Sequence, residues 1–206
     1  MEVLGKLFGG VSRVKLMRLF LFSPDVGFDL AEITGKAKVP KTTARKELNF
    51  FFGIKFIKKG KVAREVKRKK GKKVIVKKIK LDGWFLNKNF DYINSLHDIL
   101  IESKFLHHGE VLKRFKNTGN IKLLIISGVF IKNDDTNVDI LIVGDSLKRW
   151  AIEHALRQIE AEIGKELRYG VFETQDFMYR LDMYDKFIRN ILDYPHERLI
   201  EKIRVE

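Results

Sequence analysis

Residues 55–80 read KFIKKGKVAREVKRKKGKKVIVKKIK, and this stretch decides how the first third of the chain is interpreted. Fourteen of its 26 residues are Lys or Arg and only Glu65 is acidic, so the stretch carries a net charge of +13. The whole chain carries +14, which leaves the other residues together close to neutral. Charge this concentrated attracts polyanions, and the phosphate backbone of a nucleic acid is its most natural partner.

Apolar β-branched residues alternate with these cations, and Gly60 and Gly71 punctuate the run. This pattern favours the strands of a β-hairpin over the alternative, a solvated and disordered basic segment. We predict a first strand over 54–61, a tip over 67–73 and a return strand over 74–81. Asp82-Gly83-Trp84 then interrupts the pattern and is expected to end the hairpin.

Three short helices are predicted ahead of the hairpin. The first begins near Val11 and is ended by Ser23-Pro24, and the second has Asp29 as its N-cap. The third starts at Lys41 and runs to about Phe52. Three helices followed by a basic hairpin are typical of a winged helix-turn-helix domain, whereas the alternative is a small helical domain with a merely solvated polar face. We place this domain at residues 1–82.

Two sets of residues are predicted to contact double-stranded DNA, since the last helix of such a motif enters the major groove by its N-terminal residues. Lys and Arg reach guanine edges or phosphates, and Thr can donate to either. The hairpin tip lacks aromatic residues, so stacking on single strands is poorly supported and duplex contact fits better. The candidates are Lys41, Thr42, Thr43, Arg45 and Lys46 of the helix, and Lys67, Arg68, Lys69, Lys70, Lys72 and Lys73 of the tip.

A segment at residues 83–118 is predicted to join two domains. Apolar residues between Phe90 and Phe105 recur at helical spacing, so this segment contains an amphipathic helix. Its apolar stripe fits two alternatives, core packing within the chain or the seam of a homodimer.

Composition excludes several classes of site. The chain has no cysteine, so it has no disulfide framework and no thiolate metal site. The five histidines show no spacing typical of a ligand pair on one helix face, and we predict neither a metal nor a cofactor. No apolar run approaches the ~20 residues that a membrane span needs. We therefore expect a cytoplasmic protein without a membrane partner.

The C-terminal half, at 119–206, contains a buried-strand pattern over Ile121–Ile126, then Ser127-Gly128-Val129-Phe130, a polar loop, and Asn137-Val138-Asp139 leading into Ile140-Leu141-Ile142-Val143-Gly144-Asp145. These residues resemble the minimal nucleotidyltransferase family, whose members have Gly-Ser-Phe, a loop, and Asp-x-Asp within an apolar strand. The whole chain is similar to prokaryotic proteins that join a winged helix-turn-helix domain to such a domain. The resemblance implies an α+β fold with a small α/β domain at its C-terminal end.

The same resemblance implies a lost catalytic site. Family members hold divalent metal ions with two carboxylates at positions i and i+2 of one strand and a third on a neighbouring strand. Here position i is Asn137, position i+2 is Asp139, and the third position aligns with Arg168, although Glu166 lies two residues away on the same face. Val129 stands where the family has Ser. Gly128, Asn137 and Asp139 remain candidates for binding a nucleotide without a metal.

The remaining elements of this domain are predicted from periodicity and breakers. We expect a helix over 147–163 closed by Gly164, a strand over 167–172, and helices from Thr174, over 185–192 and over 196–203.

The sequence thus predicts a DNA-binding protein, with transcription regulation as its function. Its catalytically inactive nucleotidyltransferase-like domain would serve dimerisation, partner binding or ligand binding. The first alternative is an active metal-dependent nucleotidyltransferase acting on RNA or protein, in which Asp139 works with Asp134, Asp135 or Glu166. The second alternative is an RNA-binding module.

Overall fold

A computed structural model of the chain describes residues 2–70, 73–101, 108–133 and 136–205; for Glu2, 65–70 and 73–77 it describes the backbone alone. The fold is mixed α+β with two small β-sheets, as predicted at that level. The chain divides into two compact units. Unit 1 comprises Met1–Ser103 and Ala161–Lys165, and unit 2 comprises Lys104–Glu160 and Glu166–Glu206. Within the described ranges no helix has the length and apolar character needed to cross a bilayer.

Unit 1 is built from helices and one antiparallel sheet. The predicted helices near Val11, after Asp29 and from Lys41 are confirmed, while a short N-terminal helix and a two-residue strand were not predicted. The elements are α1 (Glu2–Leu7), α2 (Val11–Phe22), β1 (Phe28–Asp29), α3 (Leu30–Ala37), α4 (Lys41–Gly53), β2 (Ile57–Lys70), β3 (Lys73–Leu86) and α5 (Ile93–Leu100). The strands lie in the order β1-β3-β2.

The hairpin of β2 and β3 is longer than predicted. Its register runs from Ile57 opposite Leu86 to Lys70 opposite Lys73, so the predicted loop over 67–73 and the predicted break at 82–84 are wrong. Gly83 is needed for strand pairing, because a Cβ there would lie 2.8 Å from the carbonyl oxygen of Phe28 on β1. The glycine that indicated a turn therefore makes room for a third strand.

Asp29 joins the helices to the hairpin. Its side chain accepts a hydrogen bond from the backbone N–H of Glu32 at 2.9 Å, and the Glu32 side chain accepts from the Asp29 N–H, which forms a capping box at the start of α3. Arg64 of β2 donates to the other Asp29 oxygen at 3.2 Å and also pairs with Glu32. The base of the hairpin is thus fixed to the N-terminus of α3.

Asp29→Ala is expected to lower the free energy of unfolding of unit 1 by about 1–3 kcal/mol, since it removes the cap and leaves Arg64 with one carboxylate partner. Denaturation followed by the fluorescence of Trp84, in a Trp150→Phe background, measures this unit. The matched control is Asp82→Ala, because the pair that Asp82 forms with Lys61 is exposed to solvent. Equal losses in the two variants would contradict the role given to Asp29.

The core of unit 1 is aromatic and also holds one buried cation. Phe51 and Phe56 pack edge to face with ring centroids 5.3 Å apart, and both are fully buried. Arg18 of α2 is 1% exposed, and its guanidinium donates to the carbonyl oxygens of Leu100 and Glu162 at 2.8 and 2.9 Å. Burial lowers the pKa of Arg18 to about 10. This arginine is structural, because its donors satisfy main-chain carbonyls inside the unit.

Unit 2 contains a four-stranded sheet in the order β6-β5-β4-β7. Strands β5 and β6 are parallel, and the other neighbours are antiparallel. Its elements are α6 (His108–Phe115), β4 (Asn120–Ile126), a 3₁₀ turn (Gly128–Phe130), β5 (Ile140–Asp145), α7 (Arg149–Ile163), β6 (Tyr169–Glu173), α8 (Thr174–Asp182), α9 (Lys186–Asp193) and β7 (Glu197–Glu201). The last three residues of α7, from Ala161, belong to unit 1. Alternate residues of β4 and β5 pack with α8 and α9 in one apolar core that includes Leu123, Leu141, Phe177 and Ile188.

Two predictions for unit 2 are wrong in part. The segment predicted as a helix over 196–203 contains strand β7, which pairs Ile200 with Leu124 and Glu197 with Ile126 of β4. A short apolar run is compatible with the periodicity of a helix or of a strand. Here the strand is favoured because it pairs with an edge of β4 that would otherwise be unpaired. The strand predicted over 167–172 begins at Tyr169. The backbone N–H groups of Leu167 and Arg168 donate to side-chain carboxylates and do not take part in strand pairing.

Candidate functional sites

Helix α4 presents its polar face to solvent because its other face is fixed in the core. Ala44, Leu48 and Phe51 follow helical spacing and are fully buried. On the opposite side Lys41, Thr42, Arg45 and Lys46 are exposed, and Thr43 is half-buried. The structure therefore brings the five predicted residues of this helix together at its N-terminal end. Asn49 is also exposed, one turn beyond Arg45, and was not among the predicted residues.

The N-terminus of α4 is positive in two further respects. Its N-cap is Pro40, which makes no side-chain hydrogen bond, and the first turn contains no acidic residue. The first backbone N–H groups therefore lack a capping side chain and point along the positive end of the helix dipole. In the described parts of the chain Lys41, Arg45 and Lys46 have no ion-pair partner. This surface is suited to an anion such as a phosphate.

Other cations of unit 1 are held by acidic neighbours. Arg13 lies 2.6 Å from Glu47, Lys61 lies 2.6 Å from Asp82, and Arg64 pairs with Asp29. Arg64 belongs to the basic stretch at 55–80, so part of the charge counted there stabilises the fold. The density of charge in the sequence does not distinguish these paired cations from the α4 cations, because the acidic partners of the paired cations are distant in sequence.

The hairpin is only partly described at the level of side chains. Lys67, Arg68, Lys69 and Lys70 lie on β2 and Lys73 opens β3, whereas Lys72 lies outside the described residues. Nearer its base Lys58 and Lys80 are exposed, and the ammonium of Lys59 lies 4.7 Å from the centroid of the exposed Phe52 ring. These base cations were not among the predicted contacts, although they share the same basic stretch.

In unit 2 the carboxylate of Asp139 is fully enclosed by donors. One oxygen accepts from the backbone N–H of Val129 at 3.1 Å and from an Arg168 terminal nitrogen at 3.4 Å. The other accepts from the Arg168 backbone N–H at 2.8 Å and from its Nε at 3.2 Å. Asp139 is 1% exposed. Arg168 therefore neutralises the charge of the carboxylate, and two main-chain amides donate hydrogen bonds to it. Both of its oxygens face protein donors.

Gly128 is required for this arrangement, since a Cβ there would lie 2.1 Å from an Asp139 oxygen and its φ is +53°. Gly128→Ala is expected to lower the free energy of unfolding of unit 2 by about 2–5 kcal/mol, from strain and steric conflict. The fluorescence of Trp150 in a Trp84→Phe background follows this unit during denaturation. Gly109→Ala is the control, because a Cβ there meets nothing within 4 Å. A Gly128 variant as stable as the Gly109 variant would contradict the geometry.

The other described residues of the predicted constellation form no cluster of metal ligands with Asp139. Asn137 donates to the Asn190 side chain at 3.3 Å, and Glu166 is exposed. Asp134 and Asp135 lie outside the described residues. Asp145 lies about 20 Å from Asp139 along the strand, and the hydrogen bond from Lys122 holds its pKa below the ordinary value. Across the described parts of the chain, no three acidic or histidine side chains cluster as metal ligands would.

Together the two units define a mixed α+β protein with an exposed basic surface on α4 and an internally neutralised carboxylate beside β5. A scan against protein-family models found no match, and searches of curated proteins and of solved structures found none either. What the chain binds is therefore inferred from its own charges and contacts.

Proposed function

We propose that the chain is a cytoplasmic, double-stranded DNA-binding protein that regulates transcription, with unit 1 acting as a winged helix-turn-helix domain. The observation that carries this proposal is a group of exposed cations at the N-terminal end of α4 that have no acidic partner among the described residues, namely Lys41, Arg45 and Lys46. A recognition helix contacts base edges and phosphates through these positions. The nearly neutral charge of the rest of the chain makes unit 1 the natural nucleic-acid surface.

The connection between α3 and α4 supports the motif. Three residues, Lys38 to Pro40, separate the two helices, which is the length of turn found in helix-turn-helix motifs. Lys38 adopts a left-handed conformation and Val39 is buried, so the turn is tied to the core. A recognition helix held in this way keeps its orientation when it enters a groove.

The hairpin supplies a second contact surface in the proposal. Each of its strands has 14 residues, which at ordinary strand rise corresponds to a length of about 45 Å. Pairing with β1 and the contacts of Arg64 fix its base to the helices. A long basic arm attached beside the recognition helix would follow the phosphate backbone, which gives affinity without sequence preference.

The proposal assigns unit 2 a nucleotidyltransferase-like fold without transferase activity. It is supported by the amide at Asn137, by the guanidinium of Arg168 at the third position, and by the saturation of Asp139. A carboxylate that accepts four hydrogen bonds from protein groups has no oxygen directed at a metal ion. We assign this unit to dimerisation or to partner or ligand binding.

A gel-shift competition tests the class of nucleic acid. The chain is incubated at low salt with a labelled random-sequence duplex and with increasing unlabelled duplex DNA, single-stranded DNA or structured RNA. We expect a retarded duplex that only duplex competitor removes efficiently. No retarded species would overturn the proposal, and more efficient competition by structured RNA would replace it with RNA binding.

Transferase activity is tested separately. The chain is incubated with each labelled nucleoside triphosphate and Mg²⁺ or Mn²⁺, together with RNA and protein acceptors. We expect no incorporation of label. Incorporation that disappears in Asp139→Ala would establish the active-enzyme alternative.

A further inference from the structure

A groove of about 430 Å³ in unit 2 lies beside the turn that joins α8 to α9. Two of its lining residues, Met178 and Leu181, are partly buried and pack against the core of the unit. The other lining residues carry polar or charged groups, namely Asp182, Tyr184, Arg189 and Arg204. The groove therefore combines an apolar base with a polar rim, which is the composition of a protein–protein interface.

Tyr184 projects from the rim of this groove. It is 77% exposed, although its aromatic ring gains free energy when it is buried. Its backbone is left-handed, with a φ of +54°, which is uncommon for a residue that has a Cβ. The Arg189 guanidinium lies 5.9 Å from the centroid of the Tyr184 ring, so the ring lies next to a residue of the groove wall. A large aromatic side chain thus stands beside a depression on the same surface.

The turn that carries Tyr184 is held by hydrogen bonds on both sides. The backbone N–H of Asp185 donates to the Arg180 carbonyl oxygen at 2.9 Å, and Arg180 donates to the Asp185 carboxylate at 3.4 Å. The same carboxylate caps α9, because it accepts from the N–H groups of Phe187 at 2.8 Å and Ile188 at 3.2 Å. The backbone at Tyr184 is therefore fixed before any partner binds.

Two opposite charges at the groove have no ion-pair partner among the described residues. Arg189 lies 3.3 Å from Asp193, so its charge is already neutralised. Asp182 and Arg204 are both exposed, and no described residue forms an ion pair with either. A partner of a single charge sign would neutralise one of them and repel the other. A second copy of the chain presents both, so its Asp182 can face Arg204 while its Arg204 faces Asp182.

We propose that this groove is the interface of a two-fold symmetric homodimer, in which Tyr184 of each copy enters the groove of the other. Such an interface requires a projection, a depression and complementary charges on one surface, and all three are present here. The proposal selects dimerisation among the roles assigned above to unit 2, and rests on that assignment. It does not depend on DNA binding by unit 1.

The exposed apolar area favours the same occupant. Tyr179 and Met183, one helical turn apart, are exposed as Tyr184 is. Together the three residues offer roughly 400 Å² of largely apolar surface. This is close to half of the area that each partner buries in an interface of standard size, which is ~800 Å². A reversible dimer of moderate affinity is therefore expected.

Sedimentation equilibrium of the full chain without nucleic acid tests this interface. At ~0.15 M salt, repulsion between the basic hairpins of two copies is screened beyond about 8 Å. We expect a monomer–dimer equilibrium with a dissociation constant of about 100 µM or tighter. Tyr184→Asn removes the ring but keeps a residue that tolerates a left-handed backbone, and should weaken dimerisation by about tenfold or more. Trp150→Ala is the control and should leave the equilibrium unchanged, because Trp150 is an exposed aromatic residue of unit 2 outside the groove.

Charge reversal tests the symmetry of the interface. Asp182→Arg and Arg204→Asp should each weaken self-association, because like charges then face each other across the two-fold axis. An equimolar mixture of the two variants should restore the dimer, since the two charge pairs are complementary again when each copy carries one of the substitutions. A mixture that is no more dimeric than its components would overturn the proposal.

Two further results would also overturn it, namely a chain that stays monomeric at about 100 µM and a dimer that Tyr184→Asn leaves unchanged. Failure of this interface is distinguishable from failure of the proposed function. A monomer that still binds duplex DNA would overturn the interface alone. A dimer that shows these mutational effects but binds no DNA would support the interface and overturn the function proposed for unit 1.

Discussion

Replacing Lys41, Arg45 and Lys46 together with alanine is expected to weaken duplex DNA binding by about 100-fold near 0.1 M salt. Each of these cations is exposed on α4, and the described residues offer it no acidic partner. Every phosphate contact that is lost also removes about 0.9 from the slope of log K against log salt, so the slope should become less steep by about 2–3. Fluorescence anisotropy of a labelled duplex measures both quantities.

The control for this variant removes the same charge elsewhere. Lys113, Lys116 and Lys202 are exposed cations of unit 2, and their triple alanine variant lowers the net charge of the chain by the same three units. A local binding surface on α4 predicts a small loss of affinity in the control. Comparable losses in the two triple variants would mean that net charge, and not the α4 surface, determines binding.

Asp139→Ala is expected to lower the free energy of unfolding of unit 2 by about 2–4 kcal/mol, because it leaves the Arg168 guanidinium and two main-chain amides without their acceptor. Denaturation followed through Trp150 in a Trp84→Phe background measures this loss. A carboxylate reserved for a metal ion would behave differently, since removing an uncompensated buried charge relieves a cost. The sign of the change therefore separates a structural aspartate from a catalytic one.

A double-mutant cycle refines this result. Arg168→Ala leaves Asp139 buried without its counter-charge, and the two substitutions together should cost clearly less than their sum. Asp193→Ala serves as the control. The pair of Asp193 with Arg189 is exposed, so its loss should change stability by less than about 1 kcal/mol. Additive effects of the Asp139 and Arg168 substitutions would contradict the coupling inferred from their hydrogen bonds.

Helices were the most predictable part of the fold. The apolar spacing of α2, the N-cap at Asp29 and the start of α4 at Lys41 are local signals, and the structure agrees with each of them. The coarse mixed α+β class followed from the same signals. Local sequence fixes such elements because their caps and their buried faces lie within a few residues of each other.

Pairing between distant strands was less predictable. Gly83 looked like a turn residue, yet its role depends on Phe28, which lies far from it in the sequence. Strand β7 likewise depends on the free edge of β4. Neither contact can be recognised in the local sequence pattern. The length of the hairpin and the type of the last element were therefore predicted wrongly.

The candidate sites show the same division. Helical spacing placed the five predicted residues at the start of α4, and the resemblance to the nucleotidyltransferase family singled out Asp139 and Arg168, which the structure brings into contact. The partners of individual charged residues come from distant parts of the chain. Arg64 pairs with Asp29, and the Asp139 carboxylate accepts hydrogen bonds from Val129 and Arg168. Which cations are free, and which carboxylate is saturated, are therefore tertiary properties.

The central claim is that unit 1 binds double-stranded DNA through phosphate contacts of its basic surface. The affinity of the full chain for a random-sequence duplex across a series of salt concentrations tests this claim most directly. The account predicts a linear fall of log K with log salt, with a slope of about −3 or steeper, since at least the three α4 cations release counterions. An affinity that does not change with salt, or no binding at the lowest salt, would contradict it.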